Sequence, residues 1–186
     1  MGLFGLFGKK ENEDPSVSLP MTEKEKFVVG TYALWSEYCG GSAQYIGGYV
    51  KNRSNASMVR GVLNRDWMVN NKDSGVDMVN YILDHAGEDE AAQKKLAFDC
   101  ASACNMCGRM YIGGYLTREE AMELALKAAR EIQKHYNSWE EYYQAYIEGT
   151  ASGSNVQDSI AKFQPILEKV RGMADGPFSV DWNTAL

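Results

Sequence analysis

Three cysteines, Cys100, Cys104 and Cys107, stand in C-x3-C-x2-C order within "CASACNMC". On a loop, cysteines so spaced can wrap an iron–sulfur cluster. No Gly or Pro falls between Glu90 and Cys107, so the segment reads as helix instead. A helix rises about 1.5 Å per residue, which sets Cys100 and Cys107 roughly 10 Å apart along its axis. Sulfur ligands sit about 2.3 Å from a zinc ion, so at most two adjacent cysteines can share one metal. The expectation is three buried thiols packing as small hydrophobes, with no metal and no cofactor assigned to them.

The same helix carries a second pattern. From Leu96 to Ile112 it is apolar almost all round, as a central buried helix must be. Its polar residues, Asp99, Ser102, Asn105 and Arg109, fall within roughly a third of the circumference at about 100° per residue, opposite the cysteines. A buried charge has to be paired or has to line a cavity. Asp99 and Arg109 are too far apart on one helix to pair directly, so partners are expected from neighbouring helices, with Tyr115 and Glu120 as candidates. Two readings stay open. One is a structural polar network that fixes helix register. The other is a pocket formed by Asp99, Ser102, Asn105, Arg109, Tyr115 and Glu120.

Little else in the chain has the form of a catalytic motif. His85 and His135 are the two histidines, and neither stands in a metal spacing or beside a nucleophile. No glycine-rich phosphate loop is present. The segment "HYNSWEEYYQAY" sets Tyr136, Trp139, Tyr142, Tyr143 and Tyr146 at helical spacing, which suits either a core or a surface for a protein partner.

The elements that must position these residues are helices. Thr22 with Glu25 forms a capping box opening a helix to about Tyr38, stopped by Gly40-Gly41. Further helices are expected over about 55–67, 73–85 and 88–112. Thr117 with Glu120 caps the next, to about Tyr136. Ser138 with Glu141 caps another, closed by Gly149, and Ser154 with Gln157 caps the last, to about Gly172. "YIGGY" occurs at 45–49 and at 111–115, and two capped helix ends explain it without a duplicated site. No strand or hairpin signal is evident. The tail from Ala174 is irregular, with Trp182 expected to pack back onto the core. The reading is an all-α fold of six to seven helices around a central buried helix at about 88–112. A flexible segment at 1–21 precedes a single domain at 22–186.

The chain's 186 residues and ordinary composition, 45% hydrophobic and 24% charged, suffice for one core. A net charge of −6 without a basic run argues against nucleic acid as a partner. No stretch of 18 apolar residues is present to span a membrane. Leu3, Phe4, Leu6 and Phe7, followed by Lys9 and Lys10, suggest at most weak membrane-surface contact through residues 1–10. Four cysteines without a secretory leader point to a reducing, cytoplasmic setting.

From Leu96 to Gly149 the chain resembles the bacterial domain-of-unknown-function family 1266. The resemblance rests on Phe98-Asp99, Gly114-Tyr115, Glu120-Ala121, Ser138-Trp139-Glu140-Glu141 and Gly149, with Gly47-Gly48 and Trp67 upstream, and covers about residues 33–150. The family usually has Arg three residues after the Asp, where this chain has Ser102. It typically has small or apolar residues where the cysteines fall. The resemblance implies an α-helical fold and no particular activity. The first expectation is therefore a non-enzymatic helical module that binds a protein partner. The alternative is a small-molecule-binding protein or enzyme using the polar pocket.

Overall fold

The computed structural model describes residues 20–151 and 155–186. Among them are nine α-helices and no strand: α1 (Glu23–Thr31), α2 (Ala33–Tyr38), α3 (Arg53–Trp67), α4 (Lys72–His85), α5 (Glu90–Gln93), α6 (Leu96–Gly113), α7 (Arg118–His135), α8 (Trp139–Gly149) and α9 (Val156–Arg171). The expected helix 22–38 is two helices, broken at Tyr32, whose backbone leaves the helical region. The expected helix 88–112 is likewise split, at Lys94 and Lys95, into a single turn and α6. The segment 1–19, with its proposed membrane-touching residues, lies outside the described residues. So does Ser154, and α9 is capped by Asn155 instead.

The other caps follow from local chemistry. The side chains of Thr22, Asn52, Asn71, Thr117 and Ser138 each accept a backbone N–H in the first turn of their helix. Each satisfies a donor that the helix itself leaves without a partner.

Helix α6 is buried along nearly its whole length, and α1, α3, α4, α7 and α8 all pack on it. Small residues make the close approaches. Ala121, Ala125, Ala128 and Ala129 of α7 are buried, and the Cys104 thiol of α6 lies 3.5 Å from the Ala125 carbonyl. The first YIGGY is not a helix end. It is a 3-10 turn at Ile46–Gly48, with Gly47 and Gly48 both at positive φ. A Cβ on Gly47 would fall 2.5 Å from the Gly108 carbonyl oxygen, and one on Gly108 would fall 2.6 Å from the Gly47 nitrogen. Two glycines are needed for this turn to lie on α6. The second YIGGY does end a helix, with Gly114 in the left-handed conformation past α6.

The aromatic run on α8 is core. Trp139, Tyr142, Tyr143 and Tyr146 are all buried, with Tyr142 and Tyr143 fully so, and Tyr136 is half-buried beside them. This removes the surface expected for a protein partner, and the reason is hydrogen bonding. The break after α1 leaves carbonyls of its last turn without helical partners. The Tyr142 hydroxyl donates to the Thr31 carbonyl at 2.6 Å and the Tyr143 hydroxyl to the Gly30 carbonyl at 2.7 Å. Trp139 Nε1 donates to the Val180 carbonyl, and Trp182 Nε1 to that of Tyr136. Each ring can thus be buried without stranding its polar atom. Trp182 does pack back, 5.0 Å from Trp139 between ring centroids.

One buried ion pair joins α1 to α7. Arg118 donates through Nε to Glu25 Oε1 at 2.6 Å and through a second nitrogen to Oε2 at 3.0 Å. Burial alone would raise the Glu25 carboxyl, but bonds from Arg118 and Thr22 outweigh it and hold the group below its ordinary value. A carboxyl depressed by folding adds stability above its unfolded pKa of about 4.3, and that stability is lost as pH falls toward the folded value. Arg118→Met is therefore expected to lower stability by about 3–5 kcal/mol at pH 7. The deficit should shrink as pH falls through the depressed Glu25 value, where the carboxyl protonates in the wild type as well. Urea unfolding at pH 7 and pH 3.5 measures this. A deficit independent of pH would assign the effect to packing rather than to the ion pair.

Candidate functional site

The middle of α6 faces a cavity of about 230 Å³. Four segments wall it. Tyr32 and Trp35 come from the break before α2 and from α2 itself. Leu63, Asp66 and Trp67 come from the end of α3, Tyr146 from α8, and Phe98, Ala101, Ser102, Asn105, Met106 and Arg109 from α6. Five aromatic rings thus surround a short polar row. The inner wall is dry, with Leu63, Ala101, Met106 and Tyr146 buried, while Asp66 stands exposed at the rim.

The helical repeat explains how α6 contributes. Residues 98, 101, 102, 105, 106 and 109 recur at spacings of three and four and so share one face. On α3, Leu63, Asp66 and Trp67 do the same. Just past Trp67 the chain turns at Met68, the one non-glycine residue with positive φ among those described, at 56°. A side chain in that conformation is uncommon, and here it ends α3 at the cavity rim.

Three residues of the expected pocket meet in this cavity: Ser102, Asn105 and Arg109. The others do not line it. Asp99 sits half-buried in the first turn of α6, where burial pushes its carboxyl up and Lys95 pulls it partly back. Glu120 is drawn to the start of α7. It accepts from the Thr117 backbone at 2.9 Å and pairs with Lys72 at 2.6 Å, both on the surface. Tyr115 packs against the core outside the cavity. Tyr32, Trp35, Asp66, Trp67 and Phe98 were absent from the expected pocket. The i, i+3, i+4 placement of Leu63, Asp66 and Trp67, an acid on an apolar stripe, was the signal available in the sequence.

The polar atoms of the cavity are unequally satisfied. Ser102 Oγ donates back to the Phe98 carbonyl at 2.8 Å. Asp66 is held by Arg65, at 2.5 and 2.8 Å to its two oxygens, and Arg65 holds its carboxyl below the usual range. Tyr32 accepts from the Gly47 N–H at 2.9 Å, and burial keeps its phenol protonated well above the usual value. Asn105 is 6% exposed, yet its Nδ2 has no hydrogen-bond partner, and neither has the buried Nε of Arg109. The Arg109 guanidinium also lies beside the Cys39 thiol, which burial pushes up and Arg109 draws back down. Buried donors left without acceptors are rare in native proteins.

Elsewhere in the chain, Cys100, Cys104 and Cys107 are buried free thiols. Burial raises all three, Cys104 to about 12, so they remain thiols. Among the described residues, no group of three or more His, Cys, Asp or Glu is placed to hold a metal ion. No helix of the described residues is long and apolar enough to cross a membrane.

The arrangement is that of an all-α protein whose buried central helix opens at its middle into an aromatic-walled cavity. The chain belongs to the family described as "Protein of unknown function (DUF1266)", whose model matches residues 51–185. The match begins later than the resemblance read from the sequence and runs on through α9 and Trp182. No curated protein and no solved structure matches the chain.

An unpartnered buried amide costs about 1–3 kcal/mol that an apolar side chain of similar shape avoids. Asn105→Leu is expected to leave stability unchanged or to raise it by about 1 kcal/mol in urea unfolding. A loss beyond about 2 kcal/mol would mean that Asn105 holds the fold together rather than facing a vacant site.

Proposed function

We propose that this chain is a small-molecule-binding protein and that the cavity between α2, α3, α6 and α8 is its binding site. The observation that carries this reading is the unpartnered Nδ2 of Asn105, deep in an aromatic-walled cavity of about 230 Å³. By volume the space suits a molecule of roughly eight waters' bulk, at about 30 Å³ each. A concave, mostly apolar space with a few convergent polar groups is the usual form of a ligand site.

Binding rather than catalysis is the better reading. The Ser102 hydroxyl is committed to the Phe98 carbonyl, and His85 is tied on the surface to Tyr81. The four free cysteines agree with a reducing, cytoplasmic setting, in a bacterium if the chain follows the family it resembles. The first expectation, a protein-binding module, drew on the scarcity of catalytic motifs, the acidic charge and the α8 aromatics, and of these the aromatics are spent in the core.

Ligand-observed NMR with 3-phenylpropan-1-ol as a neutral probe tests the site. Saturation transfer from the wild type to the probe is expected. It should disappear in Ala101→Phe, where the new ring occupies the cavity at a stability change of about 1–3 kcal/mol. Transfer that survives unchanged in Ala101→Phe, or that never occurs with the wild type, would sink the proposal.

A further inference from the structure

We propose that the ligand of this cavity is a small carboxylic acid with a flat apolar body, its carboxylate held by Asn105 and Arg109. The inference rests on the cavity being a ligand site, as proposed above, and goes on to name the chemistry of what enters.

Three buried side-chain N or O atoms lack a partner among the described residues: Ser36 Oγ, Asn105 Nδ2 and Arg109 Nε. Two of the three belong to cavity-lining residues, and both are N–H donors. What the cavity lacks is therefore an acceptor. Asn105 and Arg109 are four residues apart on α6, so they stand one above the other on the same face. A single group reaching both must offer several lone pairs within a few ångströms.

Asp66 also lines the cavity, but both its oxygens are engaged by Arg65 outside it. The Cys39 thiol beside Arg109 is raised by burial and does not supply a counter-charge. Glu120, the acid named as a candidate partner for the polar row, pairs with Lys72 instead, and Asp99 does not line the cavity. Arg109 is thus the cation of the site: it acts on Asp66 only through space, and among the described residues no ion pair joins it to an anion. Arginine's planar fork suits a carboxylate, and a charge-assisted bond there is roughly twice as strong as a neutral one.

Trp35, Trp67, Phe98 and Tyr146 line the remaining space. Such walls favour a flat or aromatic body. A phosphate ester is a poorer match. Phosphates are usually held at helix N-termini by several backbone N–H groups, whereas α6 presents its middle, where the backbone donors are already bonded.

The test is calorimetric titration of the full chain with 3-phenylpropanoate and with its neutral analogue 3-phenylpropan-1-ol, on wild type, Arg109→Met and Asn105→Leu. The wild type should prefer the acid by at least about tenfold. In Arg109→Met that preference should collapse to within about threefold, with acid affinity falling about 10- to 100-fold. Asn105→Leu should shift the preference in the same direction and gives the same reading should Arg109→Met fail to fold. Equal binding of acid and alcohol by the wild type would overturn the acid and leave the cavity standing as a site. So would a preference that survives both substitutions. Binding of neither compound would overturn both readings.

Discussion

A helix with no wet face must be surrounded, and the rest of this molecule is arranged to meet that requirement for α6. Its sequence is too apolar for a surface position, so α1, α3, α4, α7 and α8 are gathered around it. Where neighbours must come nearest, the residues are small: glycine against glycine at Gly47 and Gly108, cysteine against alanine at Cys104 and Ala125. Burial at this density leaves little room for a polar side chain. The few that α6 carries are therefore the positions at which the packing is interrupted.

That interruption is the cavity. A polar row inside a close-packed core either finds partners on facing helices or leaves a space lined by unmet donors. Here Ser102 turns back onto its own helix, while Asn105 and Arg109 keep donors open. The facing elements contribute rings, and their one carboxylate, Asp66, is engaged by Arg65. In the neighbouring aromatic core Tyr142, Tyr143, Trp139 and Trp182 each give their polar atom to a carbonyl. Of the three buried polar atoms without a partner among the described residues, two face this cavity and the third, Ser36 Oγ, lies outside it.

What was legible in the sequence follows the range of the forces involved. Thr22, Thr117 and Ser138 were readable as caps because a cap is settled within four residues of chain. The burial of α6 was readable because its composition leaves no alternative. The break at Tyr32 was not. Gly30 stands two residues before it, but a lone glycine inside a helical pattern does not announce a break, and the break goes with a long-range bond from the Gly47 N–H to the Tyr32 hydroxyl. The site divides in the same way. Ser102, Asn105 and Arg109 were accessible through the periodicity of one helix. Asp66, Trp67 and Trp35 depend on which faces of α2 and α3 turn toward α6, and periodicity alone does not carry that. The α8 aromatics fit core and surface equally until the carbonyls awaiting them, at the end of α1, are in place.

The distribution of thiols has a separate consequence. Cys39 is exposed, whereas Cys100, Cys104 and Cys107 lie along the helix that every large neighbour covers. A thiol reagent therefore counts one group on the closed molecule and four on a chain whose centre has been laid bare. Because the three inner thiols share a single helix, their exposure reports one event, the parting of the bundle from α6. The pace at which they are consumed in the native protein would gauge how often that event occurs, from fluctuations too rare to alter the average structure.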